Sequence, residues 1–171
     1  MMTDEQLMVD FQRGSKDAFA ELFARYREPI YGYFRRRLAD AARAEELAQE
    51  TFLAVLRAVT RYEPRASFRT YLYGIALMQL MAERRKAATR EAGAELNGVD
   101  PPAEGDPEAA LAVRQALDHL AAGDREVLML REYEQLSYAE IAALQRVPIN
   151  TVRSRLFRAR QALQELLRKR P

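Results

Sequence analysis

Apolar residues recur along this chain at intervals of three and four, which is the spacing of one face of an α-helix. No alternation of apolar and polar residues is long enough to predict a strand. Four residues that can cap a helix precede such segments in the first half of the chain: Thr3, Ser15, Asp40 and Ser67. Pro29 predicts a kink or a restart within the second segment. The pattern predicts a helical domain over residues 1–90.

Residues 91–108 break this pattern. They include six acids, three glycines and three prolines, and they contain no basic residue. Such a density of helix breakers predicts a flexible, acidic linker. Helical spacing resumes near Pro107, and Asp124 is a candidate cap for a later helix. The predicted fold class is therefore all-α, with two small helical domains, residues 1–90 and 109–171, joined by a flexible linker.

Residues 137–156 have the pattern of a helix-turn-helix. Ser137 and Glu140 have the spacing of a capping box, which predicts the start of a short first helix. Pro148 closes a tight turn, and Asn150 is the predicted cap of the second helix. The helix-turn-helix is a common DNA-binding unit whose second helix enters the major groove.

The second helix of this unit has an apolar arc and a basic arc. The arc predicted to face the core consists of Val152, Leu156, Ala159, Leu163 and Leu167. The opposite arc consists of Asn150, Arg153, Ser154, Phe157 and Arg158, with Arg155 and Arg160 at its flanks. Residues 146–170 include eight Lys or Arg and one acid, although the net charge of the chain is only +2. Arginine and asparagine can make paired hydrogen bonds to base edges, so DNA binding is the favoured interpretation. The alternative is a solvated basic helix without a ligand.

Composition narrows the functional classes to which the protein can belong. The chain has no cysteine, which excludes disulfides and thiolate sites and fits a reducing, cytoplasmic location. Its first residues lack a signal-peptide pattern, and its most apolar run, residues 71–81, is too short to cross a bilayer, so we expect no membrane insertion. His119 is the only histidine and has no candidate nucleophile beside it. We predict no catalytic residue, no metal site and no cofactor, and therefore a protein that is not an enzyme.

Three segments of the sequence resemble extracytoplasmic-function (group IV) sigma factors of the sigma-70 family. The segment REVLMLREYEQLSYAEIAALQRVPINTVRSRLFRARQAL is similar to region 4, AEELAQETFLAVLRAV to region 2.2, and ASFRTYLYGIA to region 2.3. The resemblance covers nearly the whole chain and implies a promoter-recognition subunit of RNA polymerase without catalysis of its own. The residues it implies for binding the −35 element are Asn150, Thr151, Arg153, Ser154, Arg155, Phe157 and Arg158.

The same resemblance implies the partners. The third helix would bind the clamp helices of the largest polymerase subunit through Leu47, Gln49, Glu50, Phe52, Leu53 and Leu56. The second domain would contact the flap of the second-largest subunit, and an anti-sigma factor would bind the free protein. The residues implied for opening and reading the −10 element are Tyr62, Arg65, Phe68, Arg69, Tyr71, Tyr73 and Met78. Aromatic and cationic side chains suit an unstacked single strand. The alternative is that Phe68 and Tyr71 belong mostly to the core.

The chain departs from the family pattern at several positions. Gly74 and Leu77 stand where arginines are frequent, and Met78 stands where an asparagine is common. These changes predict either atypical −10 recognition or a surface that docks a protein. In the turn, Arg146 replaces a glycine that tolerates positive φ, at a cost of about 1 kcal/mol. The alternative to a sigma factor that the sequence leaves open is a helix-turn-helix transcription regulator that does not bind polymerase.

Overall fold

The structure is a computed structural model that describes residues 1–90 and 105–169. Within those ranges all α-helices and the single 3-10 turn are as follows: α1 Asp4–Gln12, α2 Lys16–Arg35, α3 Ala41–Ala58, the 3-10 turn Val59–Arg61, α4 Phe68–Arg90, α5 Pro107–Asp118, α6 Ala122–Glu132, α7 Tyr138–Gln145 and α8 Ile149–Arg168. The described part of the chain has no strand, so the prediction of an all-α fold is confirmed.

The chain divides into two compact units, Met1–Val99 and Asp100–Pro171. This division falls within the predicted linker, residues 91–108. Residues 91–104 of that linker lie outside the described residues. The last residues of the predicted linker already belong to the second unit, because Asp106 caps α5 through the backbone N–H of Glu108 and Pro107 occupies the first turn.

The first unit is built from the four capped helices that the sequence predicts. Thr3 forms a capping box with Gln6, the Ser15 hydroxyl accepts from the N–H of Ala18, and Asp40 accepts from two N–H groups at the start of α3. Each cap satisfies backbone donors that a helix leaves unpaired at its first turn. Gly14, with φ of 107°, ends α1 in a conformation that favours glycine.

Helix α2 runs through Pro29 without a break, so the expected restart is wrong. Pro29 removes one backbone hydrogen bond and faces solvent, whereas Tyr26 and Ile30 on either side of it are buried. The apolar contacts of these buried side chains hold both halves of the helix against the core, and α2 packs on α1, α3 and α4. Tertiary packing therefore outweighs the local cost of the proline.

In the second unit, α5, α6 and α7 pack against α8. The capping box of Ser137 and Glu140 at the start of α7 is confirmed. Two other predicted caps are wrong. Helix α6 begins at Ala122, before Asp124, and α8 begins at Ile149 with Pro148 as its cap residue, before Asn150. The side chains of Asp124 and Asn150 each accept a hydrogen bond from an arginine of α8 instead of capping a helix.

Candidate nucleic-acid interface

The turn between α7 and α8 fixes the direction in which α8 leaves the core. Arg146 ends α7 in the left-handed region, with φ of 55° and ψ of 46°. The N–H of Val147 donates to the carbonyl of Ala142 at 3.1 Å, and the N–H of Arg146 donates to that of Ala143 at 3.4 Å. These two bonds form a Schellman motif, which satisfies the last carbonyls of α7. The sequence therefore predicted the strained position in the turn correctly.

Helix α8 presents one face to the core and the other to solvent. Val152, Leu156 and Ala159 are fully buried, as the periodicity predicts. Leu163 is half-buried and Leu167 is exposed, so the buried stripe ends before the helix does and the prediction for Leu167 is wrong. The fully buried part of the stripe lies on the first three turns of α8, and Arg153 and Arg158 of the basic arc lie on the same turns.

The predicted DNA-facing side chains lie together on those turns. Asn150, Arg153 and Ser154 are exposed, and Phe157 is 63% exposed. A phenyl ring in that position is costly for solubility and suits apolar contact with a thymine methyl group. Thr151 and Arg155 are only half-exposed and lie at the edge of this surface.

Three arginines of α8 are held by acceptors: Arg153, Arg158 and Arg160. Arg153 Nη1 donates to Asn150 Oδ1 at 3.0 Å on the same helix. Arg158 donates from Nε and Nη2 to the carboxylate of Asp124 on α6, and this hydrogen bond raises the pKa of Arg158. Arg160 Nη2 donates to Glu132 Oε1 on α6 at 2.9 Å.

The two contacts with α6 were not predicted. They join residues 34 and 28 positions apart, and no local pattern in the sequence marks which acid meets which arginine. These contacts with α6 define the orientations of the Arg158 and Arg160 guanidinium groups.

Three of the residues predicted to bind the −10 strand are buried instead. Tyr62, Phe68 and Tyr73 lie in the core of the first unit, where Phe68 contacts the Tyr26 ring edge-on with centroids 5.5 Å apart and Tyr73 contacts Tyr33 at 5.6 Å. The rings of Phe68 and Tyr73 are enclosed on all sides and cannot stack on a base, so we correct their assignment to a core role. Tyr62 is also buried, but it borders an open pocket. For Phe68 the alternative interpretation of the sequence holds.

Two of the other predicted −10 residues, Arg65 and Tyr71, line an open pocket beside the 3-10 turn. The pocket has a volume of about 410 Å³ and is lined by Ala58, Arg61, Tyr62, Glu63, Arg65 and Tyr71. The rings of Tyr62 and Tyr71 meet edge-on, with centroids 5.1 Å apart. Burial raises the pKa of Tyr62 to about 12 and also raises the pKa of Tyr71, so both phenols are neutral at pH 7. An aromatic wall with nearby guanidinium groups matches the chemistry of an unstacked base beside a phosphate. Arg69 is half-exposed on the first turn of α4.

Helix α1 holds the loop that forms this pocket, which the sequence did not indicate. Gln12 Nε2 donates to the carbonyls of Val59 at 2.9 Å and Tyr62 at 3.1 Å. Glu5 Oε1 accepts from the N–H of Phe68 at 2.8 Å and so adds a second cap to α4. These bonds satisfy backbone groups on both sides of the loop and connect it to α1.

The predicted polymerase-binding residues of α3 divide between surface and core. Gln49 and Glu50 are exposed, as are Leu53 (44%) and Leu56 (37%). Leu47 is buried and holds α3 against its neighbours, so its assignment to the binding surface is corrected. Phe52 is also buried, but it borders a groove between α2 and α3. The accessible residues follow one side of α3.

A groove between α2 and α3 extends this surface. It has a volume of about 340 Å³ and is lined by Phe23, Arg27, Glu28, Tyr31, Glu45, Ala48, Gln49 and Phe52. Phe23 is an exposed aromatic residue whose ring lies 4.9 Å from that of Phe52, centroid to centroid. The packing of α2 on α3 places Phe23 at the border of the groove. Exposed apolar side chains around a groove are typical of protein-binding surfaces.

Helix α4 also exposes apolar side chains. Met78 is 71% exposed and Met81 is 48% exposed, while Leu77 is half-buried. The sequence predicts that so apolar a helix is buried on most sides or covered by a partner, and within the first unit these two methionines are not buried.

No helix among residues 1–90 and 105–169 is long and apolar enough to span a membrane. In the same ranges no three His, Cys, Asp or Glu side chains are grouped as a metal site would require.

Known proteins are similar to this chain over nearly its whole length. Residues 22–90 match the family described as sigma-70 region 2, and residues 110–163 match sigma-70 region 4. The chain is 35% identical over 180 residues to RNA polymerase sigma-H factor of Pseudomonas aeruginosa, covering 96% of this chain and 93% of that protein. It is 34% identical over 165 residues to RNA polymerase sigma factor CarQ of Myxococcus xanthus, covering 94% and 95%.

Two solved structures are similar over their whole length. CnrH, in a complex with the cytosolic domain of CnrY, has a TM-score of 0.75 at 25% identity and covers 98% of this chain and 99% of that one. The sigma factor RpoE of Bartonella quintana, in a complex with the anti-sigma factor NepR, has a TM-score of 0.76 at 24% identity, which supports the fold, and covers 92% and 100%.

The fold and the exposed basic arc of α8 first define a class, the helix-turn-helix DNA-binding proteins. The matches to both sigma regions, together with full-length relatives above 30% identity, show that the chain belongs to the extracytoplasmic-function group of the sigma-70 family. Its role is that of an RNA polymerase sigma factor in transcription initiation.

Proposed function

We propose that the unit containing α8 reads the −35 element of the promoter in the major groove. The observation that carries this proposal is the exposed arc of Asn150, Arg153 and Phe157 on the first three turns of a helix anchored by a Schellman turn. A helix placed in a major groove presents its first turns to base edges. Arginine and asparagine supply paired hydrogen bonds there, and Phe157 supplies apolar contact.

The first unit binds core polymerase through the accessible side of α3 and the groove beside it. Leu53, Leu56 and Phe23 provide exposed apolar surface, and Gln49 and Glu50 provide polar contacts around it. The partner surfaces are the clamp helices of the largest subunit for this unit and the flap of the second-largest subunit for the other. Buried apolar anchors with a polar rim are the usual composition of such an interface.

The pocket beside the 3-10 turn holds an unstacked base of the −10 strand. Tyr71 and the buried Tyr62 behind it form its aromatic wall, and Arg61 and Arg65 lie where phosphates can be paired. Met78, further along α4, provides apolar contact in place of an amide, which makes polar readout of the −10 element weaker in this chain.

The free protein is held by an anti-sigma factor at the same apolar surfaces. The support is the pair of similar structures, each a complex with a second protein, named as an anti-sigma factor in the Bartonella complex. The chain acts in the cytoplasm as a binding subunit, and the catalysis of transcription belongs to the polymerase. Its specificity lies in which promoters it selects.

Run-off transcription with reconstituted polymerase tests the −35 assignment. The template is the promoter upstream of the protein's own gene, and the variant Arg153→Ala is compared with Gln164→Ala, an exposed residue about 16 Å further along α8. Loss of a paired arginine contact lowers promoter-directed transcript about tenfold or more, whereas Gln164→Ala leaves it unchanged. Equal transcript from both variants contradicts the assignment.

A further inference from the structure

Asp124 and Arg158 form a two-point ion pair across α6 and α8. Arg158 Nη2 lies 3.0 Å from Asp124 Oδ1, and Arg158 Nε lies 3.2 Å from Asp124 Oδ2. The carboxylate is mostly covered, with 14% of the side chain exposed, whereas the arginine side chain is 59% exposed. The acid is therefore on the protein side of the pair, and the guanidinium group is on the solvent side.

The geometry leaves the outer edge of the guanidinium group available. A guanidinium group has five N–H donors in one plane, and the carboxylate engages one from Nε and one from Nη2. A bidentate contact fixes the plane of the group as well as its position, which a single hydrogen bond does not. The two N–H groups of Nη1 and the second of Nη2 remain for another acceptor.

We infer that Asp124 is a positioning residue for promoter recognition, because it orients the guanidinium group of Arg158 so that its free edge meets an acceptor on the −35 duplex. This inference rests on the proposed function of α8. The acceptor is an oxygen or ring nitrogen of the duplex, either the O6 and N7 of a guanine or a phosphate oxygen. Preorganisation of this kind reduces the side-chain entropy lost when the contact forms.

The direction in which DNA affinity changes when Asp124 is replaced distinguishes a positioning role from a purely electrostatic one. Asp124 is a negative charge beside a surface that approaches DNA, so its removal makes the local field more positive. If charge alone matters, Asp124→Ala binds DNA more tightly. If Asp124 positions Arg158, Asp124→Ala binds the cognate duplex less tightly in spite of that gain.

The test measures promoter binding by polymerase reconstituted with the full chain, on a fragment that carries the promoter of its own gene. The variants are Asp124→Ala, Arg158→Ala and the double variant. The matched control is Glu132→Ala, which removes the acid paired with Arg160 on the same two helices. We expect about tenfold weaker binding for Asp124→Ala, no further loss when it is combined with Arg158→Ala, and unchanged or tighter binding for Glu132→Ala.

Further measurements identify the acceptor on the DNA and check that the Asp124→Ala variant is folded. If the acceptor is a guanine, the Asp124→Ala defect disappears on fragments in which that base pair is replaced. If it is a phosphate, the defect is the same on every fragment and the dependence of binding on salt becomes less steep. Hydrogen exchange of α6 and α8 checks that the variant is folded. Should Asp124→Ala not fold, Asp124→Asn, which removes the charge and keeps one acceptor oxygen, is expected to weaken binding in the same direction.

Two results overturn the inference and leave the proposed function standing. One is a folded Asp124→Ala that binds the cognate fragment as tightly as the unsubstituted chain or more tightly. The other is an Arg158→Ala variant that binds normally while Arg153→Ala fails to bind. If neither Arg153→Ala nor Arg158→Ala changes promoter binding, the proposed function of α8 fails, and the inference fails with it.

Discussion

Arg146 occupies a conformation that its side chain disfavours, and replacing it by glycine is expected to stabilise the second unit. Its φ is 55°, in the left-handed region, where a residue with a β-carbon costs roughly 1–2 kcal/mol relative to glycine. Glycine is more flexible in the unfolded chain, which offsets about 0.5–1 kcal/mol of that gain. The net gain expected for Arg146→Gly is therefore about 0.5–1 kcal/mol.

Hydrogen exchange of the buried turns of α8 measures this gain in the full chain. A gain of about 0.5–1 kcal/mol slows exchange through cooperative unfolding of the unit about two- to fivefold, and it raises the melting temperature of a unit of this size by about 2–8 °C. Val152 and Leu156 are suitable reporters because they are fully buried. The control is Arg146→Ala, which keeps a β-carbon and is expected to give no comparable gain. Exchange in Arg146→Gly that is as fast as in the unsubstituted chain, or faster, refutes the assignment of strain to this residue.

Three further perturbations test other parts of the structure. The Arg43 guanidinium lowers the pKa of Glu83, to which it donates at 2.7 Å, so this pair contributes stability above the unfolded pKa of glutamate and loses it as pH falls through the folded pKa. Urea unfolding is expected to show Glu83→Gln less stable by about 1 kcal/mol at pH 7, with the difference shrinking as the pH falls through the lowered pKa of Glu83; a difference that is constant with pH contradicts this. Leu53→Glu is expected to weaken association with core polymerase at least tenfold in a competition assay, and unchanged association excludes α3 from the interface. Met78→Asn is expected to leave stability within about 0.5 kcal/mol and to alter promoter opening, measured by permanganate reactivity of unpaired thymines, and identical opening removes Met78 from −10 recognition.

Local features of the fold could be predicted from the sequence because their causes lie within a few residues. Caps such as Thr3 and Ser137 satisfy donors on the next turn, and the apolar stripe through Val152 and Leu156 follows directly from helical spacing. The strained position of Arg146 followed from its place in a family motif.

Features that depend on contacts between distant residues could not be predicted. Asp124 has the spacing of a cap, and only the approach of α8 assigns it to Arg158. Phe68 and Tyr73 have the composition of a strand-binding surface, but the packing of α1, α2 and α4 encloses their rings. Residue type predicted the chemistry of each site, and tertiary contacts decided which of its side chains are accessible.

The most direct test of the central claim is promoter-directed transcription by core polymerase supplemented with the purified chain. With a duplex template that carries the promoter of the protein's own gene, we expect a discrete run-off transcript that core polymerase alone does not produce, and co-elution of the chain with core. A folded chain that neither co-elutes with core polymerase nor yields that transcript contradicts the role of α8 and α3 described above.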